Sequence, residues 1–261
     1  METHHQTAIE DFLKLYRDKP EFIAILLAGS LAHGYAKPDS DIDIMLVADE
    51  REYAKRKADG KLAFSLWDIC TYPGGYIDCK VVSLAALAEI ADRGSDAARY
   101  AFKDAKILAG ATVELAAALA KTCRFPQEKQ ADRQHRFVCQ LLAWKWYMSQ
   151  AVAKQNAYLV HLAAHKVILF ACRIILNLNQ MLYPYHKWLL EETKRAPRQP
   201  AEFQKILAEF AQAPDFGWAQ SLTDAVLAFI GVAEPGTDWP NRFMADSELN
   251  WLDHEPPVDD L

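Results

Sequence analysis

The chain has no Cys-x-x-Cys pair, and its five cysteines (70, 79, 123, 139 and 172) are odd in number. A disulfide framework and a cysteine-based zinc site are thereby set aside, leaving reduced, mostly buried thiols of a cytosolic protein. Long basic clusters are also missing. A formal net charge of −6 and a pI near 5.8 argue against a protein that grips nucleic acid through phosphate contacts alone. No long apolar run is free of charge: "YLVHLAAHKVILFACRIILNL" carries two His, a Lys and an Arg. It is expected to be a core helix, with no membrane partner. The opening residues are polar and then amphipathic, unlike a signal peptide, and no fixed-period repeat is visible. What remains is a cytoplasmic protein of 261 residues, 51% hydrophobic, enough for one large core or two small ones.

Residues 7–17 carry Ile9, Phe12, Leu13 and Tyr16 at the spacing of one helix face, and Pro20 stops that helix. "FIAILLAGS" is a continuous apolar run that ends at Gly29, as a buried strand does. "IDIMLV" predicts a second strand, "REYAKRKADGK" a charged surface helix up to Gly60, and "YPGGY" a turn. "LAFSLWDICTY" is compatible with strand or helix. "YIDCKVVS" predicts a strand with Ile77, Cys79 and Val81 on one side and Asp78, Lys80 and Val82 on the other. From Leu84 onward the composition is helix-forming, with helices expected at about 84–92, 95–108, 112–121, 128–153, 156–181, 185–194, 200–211 and 218–230. The expected architecture is α+β: a mixed β-sheet with flanking helices over residues 1–110, then an all-α helical bundle over 111–261. The Pro-rich acidic tail is expected to pack down through its tryptophans as far as Trp251.

The chemistry concentrates in "GSLAHGYAKPDSDID", residues 29–43. A glycine directly after a buried strand lets backbone approach a ligand, and a serine opening a short helix offers its hydroxyl and neighbouring N–H groups to phosphate oxygens. Asp41 and Asp43, two apart on a strand, project from the same face, while Ile42 and Ile44 turn into the core. Two such carboxylates repel each other unless cations intervene. Magnesium meets that need, because it takes hard oxygen ligands from one or two carboxylates plus substrate phosphates. Asp78 supplies a third carboxylate if its strand lies beside the second one. Lys80 shares that face, placed to temper the negative charge or reach a phosphate.

The order strand, Gly-Ser, short helix, loop, Asp-x-Asp on a strand, then a later strand with one Asp resembles the nucleotidyltransferase fold typified by DNA polymerase beta. Ten residues separate Ser30 from Asp41, as that motif asks. With its helical second half, the chain looks like the aminoglycoside and lincosamide nucleotidyltransferases of bacteria. The motif resemblance spans residues 22–82. It implies transfer of a nucleoside monophosphate from an NTP, ATP in the first instance, to a hydroxyl of a small-molecule acceptor, with release of pyrophosphate. It further implies that Asp41 and Asp43 hold two magnesium ions and that Gly29 and Ser30 bind the β and γ phosphates. Asp78 would be the third metal ligand and a candidate base for the acceptor hydroxyl, and the second half would cover substrate and nucleotide.

Relatives use a helical-domain lysine on the triphosphate, which nominates Lys187 in "LYPYHKWLLEE"; Tyr183 and Trp188 beside it read as core anchors. His33 reads as a solvated loop residue, Ser40 as a support of its loop, and Arg93, Arg99 and Lys103 as a solvated face or phosphate contacts. His161 and His165, four apart on a helix, have neither an HExxH pattern nor a third ligand and read as core or surface histidines. Two other readings compete. One is a protein AMP-transferring enzyme of the toxin–antitoxin type, whose known examples are much shorter. The other is a catalytically silent nucleotide-binding module, against which the intact Gly29, Ser30, Asp41, Asp43 and Asp78 argue.

Overall fold

A computed structural model of the chain describes residues 1–232, 238–253 and 255. They divide into two compact units, Met1–Arg124 and Phe125–Leu261.

In the first unit, helix α1 (Thr3–Tyr16) precedes strand β1 (Phe22–Leu27), the short helix α2 (Gly29–His33) and strand β2 (Ile42–Ala48). Helix α3 (Glu50–Ala58), strands β3 (Ala63–Leu66) and β4 (Ile77–Val82), and helices α4 (Leu84–Arg93) and α5 (Asp96–Tyr100) follow. Strand β5 (Lys106–Ala109) and helix α6 (Val113–Thr122) complete it. The strands form one mixed sheet in the order β3-β4-β2-β1-β5. Only β2 and β4 run parallel; β1–β2, β1–β5 and β3–β4 are antiparallel.

The central strands are largely apolar because both their faces are covered over most of their length. Ile42, Ile44, Leu46, Ile77, Cys79 and Val81 pack with Ala8, Ile9 and Phe12 of α1 on one side. Met45 and Val47 pack with Leu87 of α4 and Leu115 and Leu119 of α6 on the other. Each fully buried Ile or Leu contributes ~1.5–3 kcal/mol. Asp43 and Asp78 share the parity of Met45 and Val82, so they emerge on the α4/α6 side, where the buried apolar stretch gives way to half-buried carboxylates.

Two features differ from the sequence reading. Residues 95–108 are not one helix: α5 ends at Tyr100, Asp104 turns the chain with φ +61°, and β5 pairs with the outer edge of β1. Gly110 then takes φ +72°, where a Cβ would strike the Ile23 carbonyl. The edge of β1 needs a partner more than "KDAKILA" needs to be helical, so tertiary pairing overrides local propensity. The first unit also reaches past Gly110 to Arg124, because α6 docks on α4: the buried Thr122 hydroxyl donates to the Leu87 carbonyl (3.1 Å).

The second unit is helical: α7 (Gln130–Ala153), α8 (Ala157–Leu178), α9 (Leu189–Lys194), α10 (Phe203–Gln212), α11 (Phe216–Phe229) and α12 (Trp239–Asp246). The α7–α8 pair is pinned by Asn177, whose amide donates to the Gln130 carbonyl (3.0 Å) and Gln134 Oε1 (2.6 Å). Helix α8 is long and apolar enough to cross a membrane, yet it buries Ala163, Ala164, Val167, Ala171, Cys172 and Ile174–Leu176 in this core. The end of the chain is anchored differently from the expectation. Trp251 is 57% exposed, and the contacts come from buried Phe243 and from Asp246 on Arg136 and Arg242. Residues 233–237, 254 and 256–261 of the tail lie outside the described residues. All five cysteines are free thiols.

Candidate active site

The carboxylates meet by strand register. Because β2 and β4 are parallel neighbours, Asp43 and Asp78 are direct Cα partners, and Ser65 of β3 lies opposite Asp78 on the next strand. Both aspartate side chains are about one quarter exposed. Lys80 spans them: its Nζ lies 3.0 Å from Asp78 Oδ2 and 3.8 Å from Asp43 Oδ1. Asp41 sits just before β2, and its Oδ2 accepts a hydrogen bond from the Tyr76 hydroxyl (3.0 Å). That bond, then burial and the charges of Asp41, Asp78 and Asp43, push the Tyr76 phenol up to about 12, so Tyr76 stays a donor at neutral pH.

Beside Asp43 the chain leaves β1 through Gly29. Its φ of +62° suits glycine, and a Cβ there would overlap the Asp43 carboxylate. The Ala28 N–H donates to the Asp43 carbonyl (2.9 Å), which locks the start of α2 to β2. Ser30 is 4% exposed, and its hydroxyl has no hydrogen-bond partner among the described residues. A buried hydroxyl left unpaired costs ~1–3 kcal/mol. Such a cost is tolerated where a ligand supplies the missing partner.

The loop that carries Asp41 is clasped from outside. His4 Nε2 contacts the Pro38 carbonyl (2.8 Å), and the Tyr72 hydroxyl donates to the Ser40 carbonyl (2.8 Å). The fully buried His5 reaches that same carbonyl through Nε2 (3.2 Å), while its Nδ1 accepts from the Glu2 N–H (3.2 Å). This pairing makes His5 the neutral Nε2–H tautomer; burial, then the neighbouring His4, lower its pKa. Ser40 supports the loop as expected, its hydroxyl accepting from the Lys37 N–H (2.9 Å).

Other candidates fall elsewhere. His33 is 7% exposed, set against the Tyr100 ring (4.6 Å) with Nδ1 3.4 Å from Asp104 Oδ2, and is no solvated loop residue. Arg99 is buried beneath α4, donating to the carbonyls of Ala91, Asp92 and Gly94, so its role is structural. Arg93 pairs with Glu89 on the surface. Lys187 lies in a 3-10 turn of the second unit, its Nζ 5.4 Å from the Trp188 ring centre. Tyr183 is the buried anchor expected, lying under the Arg173 guanidinium (4.2 Å). His161 and His165 are exposed. Tyr76, Tyr72 and Trp67 escaped the sequence reading. For Tyr76 a signal existed, since it is two residues before Asp78 and therefore on the same face.

Asp43 and Asp78 bring hard oxygen donors to one sheet face, with Asp41 just before β2, a donor type that suits magnesium. Among the described residues, however, no three His, Cys, Asp or Glu side chains converge into a ready metal cluster. Tyr76 holds Asp41, and Lys80 supplies the positive charge between the other two.

Residues 9–95 match the family model of the nucleotidyltransferase domain. Among solved structures, a nucleotidyltransferase-like protein from Exiguobacterium sibiricum is similar to the chain. Identity is 9%, the alignment covers 96% of this chain and 81% of that one, and the TM-score is 0.47. No curated protein matches the chain in sequence. The family match spans Gly29, Ser30, Asp41, Asp43 and Asp78, so all five lie within the stretch that is similar to nucleotidyltransferase domains.

Proposed function

We propose that this protein transfers a nucleoside monophosphate from a nucleoside triphosphate, ATP in the first instance, to a hydroxyl of a small acceptor, releasing pyrophosphate in the cytoplasm. The observation that carries this reading is the register of Asp43 against Asp78, with Gly29 in contact distance of the Asp43 carboxylate. In this reading the backbone at Gly29 and the orphaned Ser30 hydroxyl take the β and γ phosphates. Asp41, Asp43 and Asp78 would hold magnesium, and Asp78 would also accept the acceptor's proton. When bound, two magnesium ions neutralise phosphate charge and stabilise the attacking and leaving oxygens. Lys80, now paired with Asp43 and Asp78, would be available to a phosphate oxygen, and Lys187 is offered as a further phosphate contact. The rest of the catalysis is positioning.

An ammonium that already satisfies two of the carboxylates also suits a silent nucleotide-binding module. Product analysis separates the two readings. The protein is incubated with labelled ATP, magnesium and a panel of hydroxyl compounds, and pyrophosphate and labelled adducts are measured. The transferase reading predicts both products, and their loss in Asp41→Ala and Asp43→Ala. Pyrophosphate release that persists unchanged in either variant would overturn it.

A further inference from the structure

The register that aligns the carboxylates also builds a second row of side chains on the same sheet face. Ser65, Asp78 and Asp43 form one row across β3, β4 and β2. Two residues along each strand, in the direction of the Asp41 loop, the positions are Trp67, Tyr76 and Asp41. This second row is physically continuous. Trp67 stacks on Tyr76 with ring centres 4.4 Å apart and planes 21° apart, and the Tyr76 hydroxyl donates to Asp41 Oδ2 (3.0 Å). Trp67 is nevertheless 63% exposed. An indole fixed by stacking on one face and open on the other, one residue away from a carboxylate of the site, is a preformed apolar shelf.

Strand order says which substrate meets it. The phosphate-binding residues Gly29 and Ser30 follow β1, which flanks β2 on one side, whereas β4 and β3 flank it on the other. The attacking and leaving oxygens of a phosphoryl-type transfer lie roughly in line. A triphosphate whose leaving end rests on the β1 side must therefore be attacked from the β4–β3 side, where Asp78 and Trp67 stand. We propose that Trp67, backed by Tyr76, is the acceptor-binding shelf, and that the acceptor is a small ring-bearing alcohol whose flat face lies on the indole while its hydroxyl reaches Asp78. The C–H face of a sugar-like ring and the face of an aromatic alcohol share the chemistry the shelf recognises, since both pack on indole through dispersion. Tyr76 has two duties in this arrangement: it backs the shelf and holds the Asp41 carboxylate in place. The proposal rests on the nucleotidyl-transfer reading for the side from which the acceptor enters.

Ligand-observed NMR on the full chain, with magnesium and a non-hydrolysable ATP analogue, tests it. The probes are methyl glucoside and 4-hydroxyphenethyl alcohol as ring alcohols, with glycerol and 1,4-butanediol as acyclic controls. The shelf predicts that at least one ring alcohol binds in preference to the acyclic ones. Its Kd should weaken about tenfold in Trp67→Ala and recover most of that loss in Trp67→Phe. The analogue's own Kd, read by calorimetry, should stay unchanged in both variants. Ring alcohols that bind Trp67→Ala as tightly as wild type, or that bind wild type no better than the acyclic ones, would overturn the shelf while leaving the nucleotide site standing. An analogue that fails to bind wild type, with ring binding still lost in Trp67→Ala, would keep the shelf and remove the nucleotidyl-transfer reading.

Discussion

Ser30 and Gly29 make opposite demands on the protein, and substitutions can tell them apart. Ser30→Ala removes a buried hydroxyl with no partner among the described residues, so stability should hold or rise by about 1 kcal/mol in denaturant unfolding. Nucleotide affinity should fall at the same time, because the phosphate loses a donor. Gly29→Ala should harm both, since its Cβ collides with the Asp43 carboxylate at a backbone angle that alanine resists. Turnover should drop at least about a hundredfold in that variant, in line with the sensitivity of catalysis to small misplacements. His5 adds a pH signature. Buried as the neutral form with a lowered pKa, it resists a proton that the unfolded chain takes up below about pH 6.5. Its contribution to stability is therefore flat above that pH and declines as pH falls from there toward its own lower pKa. Melting curves between pH 5 and 8 should show a steeper acid-side loss in wild type than in His5→Gln. The spacing of Gly29, Ser30, Asp41 and Asp43 is local and could be read from the sequence, whereas placing Asp78 beside them needed the pairing of β2 with β4. The contacts of Tyr76 on Asp41 and of His4 and His5 on the Asp41 loop were not legible, because they reach across more than thirty positions, and Trp67 is tied to the site only through its stacking on Tyr76.

At the scale of elements, β1 and β2 were readable because burial on both faces writes a long apolar run, and β4 because Asp78 and Lys80 alternate with buried Ile77, Cys79 and Val81. Strand β5 was hidden: four residues, Ala-rich surroundings and one edge of β1 to pair with leave no periodicity of their own. Its position depends on Gly110, at φ +72° and against the Ile23 carbonyl. Gly110→Ala should cost about 1–3 kcal/mol of backbone strain alone, and more with the clash. Amide exchange should show Lys106–Ala109 opening first. Leu87 makes a complementary case on the other face of the sheet. It is fully buried between α4, α6 and the sheet, so Leu87→Ala should lower stability by ~2–5 kcal/mol. A fall of under 1 kcal/mol would mean that α4 and α6 are not the cover that leaves the carboxylates at its margin.

For the whole molecule, composition alone divided the chain into a mixed α/β part and a helical part, but it placed the division near Gly110. The helical character of α6 caused that difference, since a helix that packs on a sheet and a helix that packs in a bundle read alike in sequence. The two units join at Arg124–Phe125, and Arg124 is exposed. Mild trypsin treatment should therefore release fragments ending at Arg124 and beginning at Phe125. The membrane-like apolarity of α8 had the same kind of ambiguity, and its burial within the second unit accounts for it. The proposed chemistry centres on the first unit, where one register brings Asp43 beside Asp78, with Gly29 against Asp43 and Tyr76 on Asp41. Titration calorimetry of ATP, with and without magnesium, on wild type, Asp43→Ala and Asp78→Asn reads that arrangement directly. Magnesium should tighten ATP binding at least about tenfold in wild type, Asp43→Ala should abolish the magnesium effect, and Asp78→Asn should keep most of the affinity while losing turnover. ATP that binds wild type equally well without magnesium would contradict the assignment of the three aspartates.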